Sequence, residues 1–195
     1  MTKICSLGIE DYISKLTKFH GNFAPGLLIG GYMVDIASRN MTQYEFFDAI
    51  CESSSCLPDA IQMLTPCTVG NGWLKIVDTG RFAISFYEKK SGEGVRVFLD
   101  ASKLENYPEI KNWFLRLKTK QEQDKDALVR EIISAGDKIY SMMNIVVSPK
   151  YRGKHAHSSI GICGSCGEAF PEIDGKICRA CQGASIYQET RPHMF

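Results

Sequence analysis

The chain has 195 residues, 44% hydrophobic and 23% charged, with a formal net charge of +1. That length and mix suit one sizeable core with a small appendage. The balanced charge excludes bulk attraction to nucleic acid or to an anionic membrane, and no apolar run reaches the ~18 residues that a bilayer span needs.

The first residues lack the apolar stretch of a signal peptide, so a cytoplasmic location is expected. Four of the eight cysteines sit in close pairs. That usage fits a reducing compartment and metal binding better than a disulfide framework.

In chain order, Gly8 to Phe19 reads as an amphipathic helix, with Ile9, Tyr12, Ile13, Leu16 and Phe19 at helical spacing. It delivers His20 at its end, and Gly21 can take the left-handed conformation that closes a helix. Pro25 suits the first turn of a second, largely apolar helix over Leu27 to Ser38. Its apolar character suggests a homodimer. Gly30 and Gly31 weaken an exposed helix, so close approach of another backbone is expected there.

Tyr44 to Cys51 reads as a buried strand, and Cys56 to Leu64 as a helix that starts with Cys56. A thiol at that position has its pKa lowered. Thr65 to Gly72 is a loop. Strands follow over Trp73 to Asp78, Arg81 to Tyr87 and Gly94 to Leu99. Helices over Pro108 to Lys118 and Asp124 to Ser134, then a strand over Ile139 to Val147, complete the domain. Cys5, Cys51, Phe46, Phe47, Trp113 and Phe114 read as core. Ser148 to His157 reads as a basic linker, giving a core domain over 1–148 and a second domain over 149–195.

That second domain holds Cys163-Gly-Ser-Cys166 and Cys178-Arg-Ala-Cys181. Each C-x-x-C pair brings two sulfurs to one ion, and two pairs close a tetrahedral thiolate site, the structural pattern for Zn2+. Iron held by four thiolates fits the same spacing. Phe170 to Ile177 reads as a hairpin with Asp174-Gly175 at its tip, and the second pair should open the short helix of a treble clef. With every position filled by protein, the centre is architectural or an adaptor surface. No wide basic patch accompanies it, so nucleic acid is not the expected partner.

In the first domain, His20, Cys56 and Cys67 all fall at element ends or loops. If they converge, they can hold a metal or form a thiolate–imidazole pair. Capping and core roles compete with that reading, and Asp59 can simply cap its helix. Asn71 can shape its loop or donate to a ligand.

Two stretches carry a resemblance: Phe19-His-Gly-Asn-Phe-Ala-Pro-Gly26, and Cys56-Leu-Pro-Asp-Ala-Ile-Gln continuing to Cys67-Thr-Val-Gly-Asn-Gly72. They resemble the signatures of the FmdE-like family of formylmethanofuran dehydrogenase proteins. Asn22 and Ala24 stand where that family usually has His and Cys, which removes two metal ligands. The resemblance implies an α+β fold, a thioredoxin-like mixed sheet flanked by helices, with the treble-clef finger appended. It also implies an accessory or ligand-binding partner of a redox enzyme in anaerobic one-carbon or molybdenum/tungsten metabolism. The alternatives are a thiol-dependent enzyme using Cys67 with His20, or a regulatory binder acting through the finger.

Overall fold

The computed structural model describes residues 3–41, 43–153 and 158–188. The chain divides into two compact units, Met1–Lys154 and His155–Phe195. Ser148 to Gly153 is held on the first unit. Lys75 Nζ donates to the carbonyls of Tyr151 and Gly153, and the Tyr87 hydroxyl donates to Tyr151 O. Arg152 donates to the carbonyls of Val147 and Lys90. That part of the basic stretch is bonded to the sheet and is not a free linker. Lys154 to His157 lie outside the described residues.

The first unit opens with a small hairpin that the periodicity did not reveal, β1 (Lys3–Ile4) and β2 (Leu7–Gly8). Helix α1 (Ile9–His20) turns Tyr12 and Leu16 inward. It ends at Gly21, φ 92°, whose N–H donates to Thr17 O. Helix α2 (Pro25–Arg39) starts with its proline at the first position and is buried almost throughout from Gly26 to Ala37. It therefore presents no free apolar face to a second copy. Gly30 and Gly31 do reflect close packing, but against side chains. A Cβ on Gly31 would lie 2.5 Å from the Tyr12 ring, and one on Gly30 2.9 Å from Ala60 Cβ.

The central sheet has the order β4-β3-β5-β6-β7. Its strands are β3 (Asp48–Cys51), β4 (Leu74–Ile76), β5 (Ala83–Tyr87), β6 (Glu93–Leu99) and β7 (Tyr140–Val146). Strands β3 and β4 are parallel, joined through helix α3 (Leu57–Leu64); the other pairings are antiparallel. Helices α4 (Pro108–Phe114) and α5 (Lys125–Ala135) stand between β6 and β7 in sequence. Strand residues alternate between faces. Ala49, Cys51, Ile84, Phe86, Val95, Val97 and Leu99 share a core cluster with α2 and α5. Ile50, Tyr87 and Val147 form a smaller cluster, with Tyr151 packed on it. The mixed sheet with its helices is the expected α+β class and is compatible with a thioredoxin-like core.

Strand β3 is shorter than expected. Tyr44 N donates to Met41 O, which closes a turn at Tyr44, and Tyr44 to Phe47 is an irregular segment before the strand begins at Asp48. Phe46 is 67% exposed rather than core, while Phe47 stacks on Phe86 at 4.6 Å. Trp113 and Phe114 pack on the core edgewise against Phe82.

The second unit contains a hairpin of β8 (Ile160–Ile162) and β9 (Ala169–Pro171). The hairpin expected over Phe170 to Ile177 does not form. The Cys163–Cys166 segment makes the reversal instead, and Glu172–Asp174 is a single 3-10 turn. Cys181 lies in a short helical turn, Ala180–Ala184.

Candidate metal centre and the His20 site

Cys163 ends β8. Its N–H donates to Glu168 O, and its carbonyl accepts from Gly167 N, which closes a tight knuckle with Gly167 at φ 77°. Only glycine takes that conformation without strain. The second pair comes from the start of the helical turn, where Gln182 N donates to Cys178 O. The Gln182 side-chain amide donates to the carbonyls of Asp174 and Ile177, fixing the approach to Cys178.

The four sulfurs of Cys163, Cys166, Cys178 and Cys181 all lie within 4.8 Å of one another. Cys166 Sγ and Cys178 Sγ are 3.8 Å apart. A tetrahedron of Zn–S bonds of about 2.3 Å has edges of about 3.8 Å, so the cage has the size zinc needs. Cys178 N–H donates to Cys163 Sγ at 3.3 Å. Backbone amides of Cys166 and Cys178 lower the Cys163 thiol, while neighbouring sulfurs raise Cys166 and Cys181, so a bound cation would be what holds the cluster as thiolates. These residues fit a bound Zn2+ with no ligand position left over.

In the first unit, the structure joins some of the expected residues and separates others. His20 Nδ1 lies 2.5 Å from Asp59 Oδ2. A carboxylate there keeps the proton on Nδ1 and leaves the Nε2 lone pair available. Asp59 thus does more than cap α3. Its other oxygen accepts from the Gln62 amide, and Gln62 Oε1 accepts from Val69 N. That chain of bonds ties the end of α1 to α3 and to the loop after it.

Cys56 is the thiol beside Asp59, whose N–H donates to Cys56 O at 3.2 Å. It precedes α3 with φ 58° and ψ −53°, and Leu57 N donates across it to Ser55 O at 2.6 Å. This is a γ-turn of the positive-φ kind, a rare and strained conformation for a residue with a side chain. Its sulfur sits against the start of α2, since a Cβ on Gly26 would meet Cys56 Sγ at 3.0 Å. The helix-start position does not lower its pKa as expected. Burial raises it, and the negative charge of Asp59 raises it further.

Cys67 does not join them. It is fully buried, with Sγ donating to Phe47 O at 3.3 Å. Burial pushes its thiol up to about 11, and its polar neighbours are Thr65, Asp48 and Lys89. The shift has the same direction as at Cys56; what sets Cys67 apart is its complete burial. Asn71 shapes its loop: Oδ1 accepts from Thr68 N and Trp73 N, and Nδ2 donates to Pro66 O. Cys5 is half-buried at the β1–β2 turn and packs against the core, and Cys51 is buried as expected. The residue the sequence reading undervalued is Asp59. The clue was its place three residues after Cys56, one helical turn along the same face.

Comparison with known proteins agrees with this layout. Residues 19–147 match the family described as "FmdE, Molybdenum formylmethanofuran dehydrogenase operon", and residues 154–188 match the FmdE treble clef zinc finger. The crystal structure of a tungsten formylmethanofuran dehydrogenase FmdE-like protein from Syntrophus aciditrophicus is 49% identical. It superposes with a TM-score of 0.88 over 96% of this chain and 100% of that one. A probable S-adenosyl-L-methionine-binding protein of Archaeoglobus fulgidus is 33% identical over 109 residues, covering 48% of this chain. The chain spans only 30% of the length of that relative. With its core and its zinc finger both matched, the chain belongs to the FmdE family.

Proposed function

We propose that this protein is a zinc-stabilised accessory or ligand-binding partner of a redox enzyme in anaerobic one-carbon or molybdenum/tungsten metabolism. The supporting observation is the chain-long likeness to a tungsten formylmethanofuran dehydrogenase FmdE-like protein. The four-thiolate centre is coordinatively closed, so the finger serves architecture and contact rather than chemistry. No helix among the described residues is long and apolar enough to cross a membrane, and the family context favours a cytoplasmic site of action. Affinity capture of the tagged full chain from an anaerobic extract should retain a molybdenum or tungsten redox enzyme or a protein that assembles its cofactor. Capture of neither, with the zinc centre loaded, rejects the reading.

A second reading is a thiol-dependent site, and the strained Cys56 next to Asp59, which itself holds His20, favours it. In that reading Cys56 takes the place first given to Cys67, and His20 Nε2 is the base. The raised pKa means Cys56 is protonated at neutral pH and must lose its proton when a ligand arrives. In the resting protein, the pH midpoint for alkylation of Cys56 should lie above that of an ordinary thiol. Asp59→Asn removes a neighbouring negative charge and should lower that midpoint. Mass-spectrometric mapping of alkylated peptides across pH 7 to 11 reads both. A Cys56 midpoint at or below the ordinary value contradicts the geometry.

A further inference from the structure

The thiols of the first unit are poor targets for an oxidant. Cys51 and Cys67 are buried, and Cys5 and Cys56 are half-buried. Burial raises the pKa of each, so they carry their protons at neutral pH. The thiolate is the form that attacks. In the finger a bound cation holds the sulfurs as thiolates. Sulfur oxidation at neutral pH therefore falls on the metal cage.

The cage is unevenly covered. Cys163 is only 2% exposed, and its sulfur accepts the Cys178 N–H. Cys178 and Cys181 are half-buried, whereas Cys166 is exposed. Its knuckle stands clear of its surroundings. A Cβ on Gly164 would meet only Lys176 O, at 3.9 Å, and one on Gly167 would meet nothing within 4 Å. Cys166 Sγ also lies 3.8 Å from Cys178 Sγ, which belongs to the other ligand pair. The outermost sulfur thus has a second thiolate one short movement away from an S–S bond of about 2.05 Å.

We infer that the finger is a redox-sensitive switch, in which hydrogen peroxide oxidises Cys166 and Cys178 closes on it, expelling the zinc. What the switch controls, the contact made by the finger, rests on the accessory-partner reading. The Cys166 thiolate attacks the peroxide. An S–O bond forms, the O–O bond breaks and hydroxide leaves, which makes Cys166 a sulfenic acid. The Cys178 thiolate then attacks the Cys166 sulfur. The S–S bond forms, the S–O bond breaks and a second hydroxide leaves. Two thiolates and one hydrogen peroxide become one disulfide and two hydroxides. Cys163 and Cys181 alone cannot complete a tetrahedral site, so Zn2+ departs. One disulfide stabilises a small unit far less than a structural zinc does, so the finger opens. A dithiol reductant and fresh zinc reverse the sequence by thiol–disulfide exchange.

The zinc-loaded full chain, handled without oxygen, is titrated with hydrogen peroxide. Zinc captured by a chromogenic chelator should match the peroxide consumed, and peptide mapping should find a Cys166–Cys178 disulfide. Hydrogen exchange should show protection lost through 158–188 and regained with dithiothreitol and zinc. Cys166→His keeps a zinc ligand, removes the attacked sulfur and should slow zinc release about tenfold or more. Cys178→His removes the resolving sulfur, so sulfenic acid should accumulate at Cys166 and be labelled by dimedone. If neither variant loads zinc, the wild-type mapping decides alone. Zinc retained under a large excess of peroxide overturns the proposal. So does a disulfide within Cys163–Cys166 or Cys178–Cys181, or oxidation of a first-unit thiol ahead of the finger. The assay contains no partner protein, so its failure is distinct from failure of the accessory-partner reading.

Discussion

Stripping zinc from the full chain should unfold the C-terminal unit and leave the first unit standing. Among the described residues of 158–188, the buried apolar side chains are Cys163 and Phe170. Ile160, Ile162, Ile173, Ile186 and Tyr187 are all well exposed. Each strand of the hairpin has three residues. Ordering a residue costs about 1–2 kcal/mol of backbone entropy, and one phenylalanine contributes about 2–3 kcal/mol by burial. Apolar burial therefore falls far short. A four-thiolate Zn2+ site supplies on the order of 10 kcal/mol or more, and that energy appears as folding energy. Hydrogen exchange after treatment with a strong chelator should show protection lost through 158–188 and retained in the central strands. Cys178→Ser should give the same pattern in the presence of zinc. Protons compete with the metal for the thiolates, so acidification should release zinc and protection together. Protection that persists in metal-free protein would overturn the assignment of the centre as the support of this unit.

The finger was legible because its chemistry is local. Two C-x-x-C pairs specify a thiolate cage whatever lies between them, which is why the hairpin could be misplaced while the four ligands were not. Helices α1, α2 and α5 were legible for a similar reason: their apolar spacing and their capping residues agree. The His20 site was read less well because it depends on residues far apart in sequence. His20 and Asp59 are brought together by the packing of α1 on α3, which no periodicity encodes. Cys56 and Cys67 look alike in sequence, since each lies at the junction of a predicted helix and a polar or glycine-rich stretch. Only the structure separates the strained Cys56 from the fully buried Cys67. The sense of the Cys56 shift was missed because Asp59 and burial both oppose the helix-start effect. Phe46 shows the limit of composition, since an aromatic beside a strand can still lie in the irregular segment that leads into it.

Gly31→Ala should be among the most damaging single substitutions in the first unit. The added Cβ would lie 2.5 Å from Tyr12 Cζ and from its hydroxyl oxygen. Tyr12 is fully buried, and its hydroxyl donates to Leu27 O at 2.7 Å, so the ring has no free space to swing into. Relief requires α1 to move off α2, which breaks that bond and opens the core along the whole contact. Overpacking that displaces a helix exceeds the usual 1–3 kcal/mol, and a loss of about 4 kcal/mol or more is expected. Denaturant unfolding measures it. The same movement has a consequence at the site, because α1 carries His20 and α3 carries Asp59. Imidazole NMR in any folded fraction should report loss of the Nδ1 contact with Asp59. Pairing the substitution with Tyr12→Leu removes the colliding atoms while keeping an apolar side chain, and should recover part of the stability. Gly31→Ala that costs less than about 1 kcal/mol would mean that α1 can shift freely, and a freely shifting α1 could not hold the imidazole against Asp59.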